Sequence, residues 1–213
     1  MSENLFGFPV HKIRIDPDSY DKDKIVSDIK ENYEIDNNRN EWGSSNLHHS
    51  YGNWENEKFI AINYNKLKQI YQKTFEDFFK NTFNNSKPFN YHWNIVNYTA
   101  IKTGQYMKIH IHDDYDFSCT HYIKFNPKKH SSIQFVNLSP MGLYGKNITN
   151  SAFEIGNRQD ISNSYLQGSW NYSLSEDDML IFPGSLHHEV PKQEETDELR
   201  ICVVTNIKLL KIK

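Results

Sequence analysis

The stretch YHWNIVNYTAIKTGQYMKIHIHDDYDFSCTHYIKF, residues 91–125, decides the fold. It is rich in aromatic and β-branched residues, and turn-forming residues bound each of its apolar runs, which is the pattern of short consecutive β-strands. We therefore predict strands at residues 91–101, 105–112 and 117–125, and a strand-rich core built around them.

The same pattern of short apolar runs bounded by turn-forming residues continues toward the end of the sequence. Before residue 88, in contrast, apolar residues are mostly spaced as in helices. Apolar residues recur at helical intervals within residues 21–33 and 65–83, and the polar segment 34–57 between them is predicted to be a loop. Further strands are predicted at residues 6–15, 132–137, 170–174, 178–182, 187–190 and 199–208. Helices followed by about eight strands predict a mainly β (α+β) sandwich or barrel, with the helices packed on one face.

Length and composition limit the class of protein. A chain of 213 residues is long enough for one well-buried core, so we expect a single domain over residues 1–213, with an N-terminal helical elaboration (1–88) and a β core (89–213). The formal net charge of −3 argues against nucleic acid held by bulk positive charge. Two cysteines make no disulfide framework, and no apolar run is long enough to span a bilayer, so we expect a cytoplasmic protein without a membrane partner.

The first segment with candidate chemistry is GQYMKIHIHDD, residues 104–114. Side chains alternate between the two faces of a strand, so His110, His112 and Asp114 are expected to point the same way. Imidazole and carboxylate groups on one face suit Fe(II), Zn(II), Mn(II) or Ni(II). Taken alone, the same pattern also describes two surface histidines on an amphipathic strand.

The second segment is MLIFPGSLHHEV, residues 179–190, in which an apolar strand runs into a Pro-Gly turn and then a histidine pair. In an antiparallel barrel, His188 can face the first pair of histidines across the interior. The alternative is a histidine packed on a hairpin.

The third segment is LRICVVTN, residues 199–206, which contains one of only four arginines in the chain. A buried guanidinium needs an anionic partner, and its planar fork fits a carboxylate with two hydrogen bonds. Arg200 therefore either pairs with a nearby glutamate (194, 195 or 198) or binds the carboxylate of a ligand.

Taken together, these segments resemble the Fe(II)/2-oxoglutarate-dependent oxygenases, in particular a small phage and marine bacterial group. The resemblance spans about residues 91–208. It is carried by the order and spacing of Trp93-Asn94, Gly104, His110-Ile-His112, Ser118, Tyr122-Ile123, Phe182-Pro183, His188-Glu-Val190 and Arg200-Ile-Cys202. It implies a double-stranded β-helix (jelly roll), Fe(II) as the metal, and 2-oxoglutarate and O2 as cosubstrates.

The resemblance also implies roles for individual residues. The metal ligands would be His110, His112 and His188, or alternatively His112, Asp114 and His188, which restores the His-x-Asp/Glu pattern of the wider superfamily. Arg200 would bind the distal carboxylate of 2-oxoglutarate. Tyr122 and Tyr98, on neighbouring strands, are candidates to hydrogen-bond the same molecule, with packing in the core as the alternative for each. Cys202 stands where a serine or threonine often assists the arginine. The implied reaction hydroxylates an unidentified substrate while 2-oxoglutarate is oxidised to succinate and CO2.

Three other interpretations stay open at this stage. A cupin-type metal protein that does not use 2-oxoglutarate would keep the same histidines, add Asp116 as a fourth ligand and leave Arg200 without a role. A metallohydrolase is disfavoured because Tyr115 stands where that motif has a histidine. A jelly roll without metal would leave the histidines without function. The long polar segment 138–169 has the composition of a lid or binding loop.

Overall fold

The polypeptide forms two antiparallel β-sheets and two helices in the computed structural model, which describes residues 2–5, 8–37, 45–51, 58–83, 90–138, 169–194 and 196–210. The helices are α1 (Lys22–Ile35) and α2 (Asn65–Phe83). The strands are β1 (Ser2–Leu5), β2 (Phe8–Arg14), β3 (His48–His49), β4 (Tyr91–Ile101), β5 (Met107–His110), β6 (Phe117–Lys124), β7 (Gln134–Val136), β8 (Ser169–Asn171), β9 (Asp178–Pro183), β10 (His188–Val190) and β11 (Arg200–Leu209).

The larger sheet has seven strands in the order β1-β2-β9-β6-β11-β4-β3, and the smaller sheet has four in the order β5-β10-β7-β8. Neighbouring strands in both sheets run antiparallel. Because strands that are distant in sequence lie side by side, the chain crosses repeatedly between the sheets, as a jelly roll requires. The predicted fold class is confirmed.

One apolar cluster lies between the two sheets and holds them together. It joins Phe135 of the smaller sheet to Tyr122, Phe182 and Cys202 of the larger sheet, all of them fully buried. The even-numbered residues of β6, β9 and β11 supply this face because side chains alternate along a strand.

The second cluster lies on the opposite face of the larger sheet, where both helices pack. Helix α2 presents Tyr71 and Phe75 toward Trp93 of β4, with ring centroids 6.2 and 5.3 Å apart. Helix α1 adds Ile25 and Ile29 to the same cluster. The predicted packing of the helices on one face of the sheet is therefore observed. No helix in the described part of the chain is long and apolar enough to cross a membrane.

The largest difference from expectation lies in the segment predicted to be a polar loop, 34–57. Within it, His48 and His49 form β3, which pairs with the edge of β4, and both side chains are fully buried. A strand of two residues carries no readable alternation, so the sequence pattern could not indicate it. Strand β1 was likewise not predicted. Residues 139–168, nearly all of the predicted lid, lie outside the described residues, and the boundary between elaboration and core stays a prediction.

Candidate metal centre and cavity

Three histidines come together between the ends of the two sheets. One nitrogen each of His110, His112 and His188 lies within 4.8 Å of the others, and among the described residues these three form the group able to hold a metal ion. The ring centroids of His110 and His188 are 4.2 Å apart, and those of His112 and His188 are 5.2 Å apart. Residues far apart in sequence thus supply one set of imidazole ligands.

His110 and His188 are positioned by strand pairing. They are direct partners across β5 and β10. The Nδ1 atom of His110 lies 2.8 Å from the carbonyl oxygen of Lys108, and that of His188 lies 2.8 Å from the carbonyl oxygen of Leu186. A carbonyl oxygen only accepts, so Nδ1 carries the proton in each ring and Nε2 is left with its lone pair. This tautomer presents Nε2 to a metal.

The alternation of side chains predicted that His112 lies on the same strand as His110, but His112 lies beyond the end of that strand. Strand β5 ends at His110, and His112 lies in the turn that follows. Its backbone N–H donates to the carbonyl oxygen of Gly184 over 2.8 Å, and the N–H of Gly184 donates to the carbonyl oxygen of Asp116. A Cβ atom at position 184 would meet the backbone oxygens of Tyr115 and His112, the latter at 2.6 Å. The absence of a side chain at Gly184 therefore allows the close approach that holds His112.

The histidine cluster is electrostatically prepared for a cation. Burial lowers the pKa of His112 to about 4, with the neighbouring His110 imidazole acting in the same direction. Burial also lowers the pKa of His110, and it lowers that of His188 well below its ordinary value. Neutral imidazole is the form that coordinates metal ions, so the site is in its binding form at neutral pH.

Arg200 lies on β11 in the same cavity. It is 1% exposed, and its guanidinium carbon lies 4.9 Å from the centroid of the Tyr122 ring. Burial raises the pKa of Tyr122, opposed by the Arg200 charge, so the phenol keeps its proton. The Nε atom of Arg200 has no hydrogen-bond partner, and none of the described residues forms an ion pair with this arginine.

The local glutamate expected as an alternative partner of Arg200 is engaged elsewhere. Glu198 pairs with Lys129 at 2.5 Å and accepts a hydrogen bond from Asn126. Glu194 forms no ion pair with the arginine, and Glu195 lies outside the described residues. A buried cation without an anionic partner is costly unless a ligand supplies the negative charge. Arg200 therefore fits a ligand carboxylate.

One cavity of about 520 Å³ joins the two groups, since His110, His112, His188, Tyr122 and Arg200 all line it. The volume suits a small organic molecule. Three imidazoles on one side of this space leave the other side of a bound ion open to ligands, and imidazole suits Fe(II). The residues present thus fit both an Fe(II) ion and a dicarboxylic acid.

The remaining predicted residues lie around this cavity. Asp114 is exposed and lines the cavity, but its carboxylate is not among the clustered ligand atoms. Cys202 does not line the cavity; it packs in the apolar cluster between the sheets, where burial raises the pKa of its thiol to about 11. Asp116, the fourth ligand of the cupin interpretation, accepts from the backbone N–H of Leu209 instead.

Two cavity residues were missed by sequence reasoning. Asn97 of β4 and Asn206 of β11 line the cavity and are buried. The sequence signal for both is a polar amide within a largely apolar strand, which is the same kind of signal as the charged Arg200 in β11.

Comparison with known proteins agrees with this geometry. The profile of the family described as "Putative 2OG-Fe(II) oxygenase" matches residues 93–206, which is more than half of the chain. No curated protein is similar enough to count as a match.

Several solved structures share the fold. A viral collagen prolyl hydroxylase from Paramecium bursaria Chlorella virus 1, in complex with 2OG, has a TM-score of 0.55 and 14% identity, covering 93% of this chain and 94% of that chain. A Pseudomonas putida prolyl-4-hydroxylase has a TM-score of 0.52 and 7% identity, covering 95% and 93%. A prolyl hydroxylase from Trichoplax adhaerens, in complex with a hypoxia-inducible factor peptide, has a TM-score of 0.50 and 9% identity, covering 93% and 83%. At these identities the likeness concerns the fold alone.

Proposed function

Because the chain belongs to the 2OG-Fe(II) oxygenase family, we propose that it hydroxylates a carbon atom of an organic substrate with Fe(II), 2-oxoglutarate and O2. The bound iron and cosubstrates supply the oxidising chemistry: 2-oxoglutarate loses CO2 to give succinate, and one oxygen atom of O2 enters the substrate. The protein contributes binding, orientation and a site from which bulk water is excluded.

The observation that carries this proposal is the presence, in a single cavity, of three neutral imidazoles and one buried arginine that has no acidic partner among the described residues. A metal-binding jelly roll without 2-oxoglutarate gives no reason to bury Arg200 in this way. An oxygenase needs both groups, because the cosubstrate has to bind the metal at one end and a cation at the other.

His110, His112 and His188 are proposed as the ligands of Fe(II). Two of the three donate Nδ1–H to a backbone carbonyl, which holds the ring in place and directs Nε2 toward the ion. Asp114 is kept as an alternative ligand in place of His110, since it lines the same cavity. Replacing His110 and Asp114 separately by alanine distinguishes the two sets, because only the true ligand's loss abolishes tight metal binding.

Arg200 is proposed to bind the distal carboxylate of 2-oxoglutarate through its planar guanidinium. The Tyr122 ring lies beneath this group, and its protonated hydroxyl is proposed to donate a hydrogen bond to the cosubstrate. Cys202, two residues further along the same face of β11, is proposed to support this end of the cavity from the apolar cluster.

The experiment is an anaerobic calorimetric titration of 2-oxoglutarate into the protein loaded with Mn(II), a redox-inactive substitute for Fe(II). We expect saturable binding at one site, and much weaker binding after the metal is removed with a chelator. Formation of succinate from 2-oxoglutarate with Fe(II) in air is the second readout. Tight metal binding without any binding of 2-oxoglutarate would contradict the proposal and favour a cupin-type protein.

A further inference from the structure

The cavity has a second polar region that the metal and the arginine do not use. Its most buried members are Asn97 and Asn206, which are 5% and 3% exposed and line the same cavity as the histidines. The Oδ1 atoms of both asparagines are buried and have no hydrogen-bond partner among the residues that the structure describes. Buried polar atoms are normally paired, so this pair of free acceptors indicates a missing partner.

Strand register shows that these side chains form one patch. Asn206 is directly opposite Ser118 on β6, and neighbours opposite each other share a face of the sheet. The Ser118 hydroxyl is fully buried beside Asn206 and also lacks a partner among the described residues, but Ser118 does not line the cavity. Asn97 pairs with Val204, two residues before Asn206, at a point where the ladder between β4 and β11 is irregular. We call Asn97 and Asn206 the amide patch.

The amide patch lies further along β11 than Arg200. Asn206 is six positions beyond Arg200, which corresponds to about 20 Å of strand, and Asn97 is opposite Val204, four positions beyond Arg200, which corresponds to about 13 Å. Asn206 in particular is further along the strand than the length of a five-carbon acid held by the guanidinium. This makes the patch a candidate contact for the other reactant, the molecule to be hydroxylated.

The charges around the cavity limit what this reactant presents to the patch. In the described part of the chain, the acidic and basic lining residues other than histidine are Lys108, Asp114 and Arg200, and the patch itself is uncharged. A carboxylate would face two carbonyl oxygens, and an ammonium group would be buried without a counter-charge, both of which are unfavourable. An amide is uncharged and offers N–H donors to the two Oδ1 atoms.

We propose that Asn97 and Asn206 form the subsite that binds a carboxamide group of the substrate, and so select an uncharged amide over an acid or an amine. This inference rests on the proposed function, because it assigns the patch to the substrate of that reaction. The group that binds is an amide, and the substrate can carry it either as a peptide bond or as a primary carboxamide.

The test uses four small probes on the protein loaded with Zn(II) and 2-oxoglutarate: isobutyramide, N-methylisobutyramide, isobutyrate and isobutylamine. Their carbon skeletons match, so differences in saturation-transfer NMR report the polar group. We expect at least one amide to bind at least about 10-fold more tightly than isobutyrate or isobutylamine (a difference of about 1.4 kcal/mol). Preference for the N-methyl compound indicates a peptide bond, and preference for isobutyramide indicates a primary carboxamide.

Variants link the binding to the patch. Asn97→Ala and Asn206→Ala should each weaken amide binding at least about 10-fold, whereas Thr205→Val, on the opposite face of β11, should leave it unchanged. Asn206→Asp keeps the shape and adds a negative charge, so it should shift the preference toward isobutylamine. This switch keeps the inference testable if an alanine variant does not fold.

Calorimetric titration of 2-oxoglutarate into the same samples distinguishes a failure of the proposed oxygenase function from a failure of the proposed amide subsite. If wild-type protein fails to bind 2-oxoglutarate, the proposed function fails, whatever the probes do. If 2-oxoglutarate binds but no amide is preferred, or the asparagine variants leave amide binding unchanged, the subsite is wrong. A parallel loss of 2-oxoglutarate affinity in Asn97→Ala and Asn206→Ala would also overturn it, because the asparagines would then serve the cosubstrate.

Discussion

Arg200 is the residue whose function depends most on its surroundings. The sequence places a rare arginine in an apolar strand, and the structure leaves its guanidinium buried, over Tyr122 and without an acidic partner among the described residues. A fully desolvated cation of this kind contributes far more to ligand binding than a surface charge, because neither solvent nor salt screens it.

Arg200→Ala should weaken 2-oxoglutarate binding by at least about 30-fold, since removing one partner of a buried charge pair costs about 2–5 kcal/mol. Affinity for Mn(II) should change by less than about 3-fold, because the arginine is not one of the three clustered metal-ligand residues. Both values come from calorimetry. Arg14→Ala, which removes a half-exposed arginine from the surface, is the matched control. Equal loss of metal and cosubstrate binding would mean that Arg200 is structural.

Gly184 is the second residue on which the site depends. It touches no ligand position itself, but its carbonyl oxygen and its lack of a Cβ atom hold the turn that carries His112. A proline precedes it in the chain, so the turn that places the histidine is stiff on one side.

Gly184→Ala should lower the free energy of unfolding by about 1–3 kcal/mol, because the new methyl group overlaps the backbone oxygens of Tyr115 and His112. It should also weaken Mn(II) binding, since His112 is displaced from the other two imidazoles. Urea unfolding and metal titration measure the two effects. Ser185→Ala, at the neighbouring exposed position, is the control and should change neither the unfolding free energy nor the Mn(II) affinity. If Gly184→Ala leaves the metal affinity unchanged, Gly184 does not position His112.

At the scale of elements, α2 and β6 meet through a buried hydrogen bond. The hydroxyl of Tyr71 on α2 lies 2.8 Å from Nδ1 of His121 on β6, and both side chains are fully buried on the helix side of the sheet. Burial, with a smaller contribution from the Lys22 and Arg14 charges, lowers the pKa of His121 to about 3. The contact between helix and sheet therefore requires a neutral imidazole.

This pKa shift predicts sensitivity to acid. The unfolded chain protonates His121 near pH 6.5 and the folded chain only near pH 3, so the stabilisation is complete above pH 6.5 and is lost as the pH falls toward 3. Between pH 7 and pH 5, wild-type protein should lose about 2 kcal/mol of unfolding free energy relative to His121→Gln. Urea unfolding of both proteins measures the difference. His92→Gln, at an exposed position of β4, is the control, and parallel pH profiles for wild type and His121→Gln would refute the prediction.

At the scale of the whole molecule, the apolar cluster between the two sheets holds them together. Ligands bound in the cavity would contact residues of both sheets and add a second connection. His110, His112 and His188 belong to the smaller sheet and its turns, whereas Arg200 and Tyr122 belong to the larger one. A metal ion and a dicarboxylic acid bound together would connect the sheets. Ligand binding should therefore stabilise the folded state as a whole.

With Mn(II) and 2-oxoglutarate each at about 100 times its dissociation constant, each ligand should contribute about 2.7 kcal/mol, so the folded state should gain about 5.4 kcal/mol. For a chain of this length the melting temperature should rise by about 10–20 °C. Scanning calorimetry measures the shift, and a chelator should reverse it. Glutarate, which lacks the keto oxygen needed to chelate the metal, should give a smaller shift. A melting temperature that is the same with both ligands and with chelator would contradict the joint site.

Much of the architecture could be predicted from residue patterns alone. The aromatic and β-branched runs of residues 91–125 predicted β4, β5 and β6, and helical spacing predicted α1 and α2, because these patterns record which side chains face a core. The same reasoning failed for β3, which is too short to show alternation and whose burial depends on pairing with the edge of β4.

The candidate site was predicted in its residue types but not in its geometry. The sequence by itself determined that His110, His112, His188 and Arg200 are present at suggestive spacings within short strands. Only the tertiary structure decided that His112 reaches the cluster from a turn held by Gly184, that the nearby Glu198 pairs with Lys129 rather than with Arg200, and that Asn97 and Asn206 share the cavity. The reason is physical: alternation along a strand assigns a side chain to a face, whereas strand pairing across the two sheets determines which faces meet.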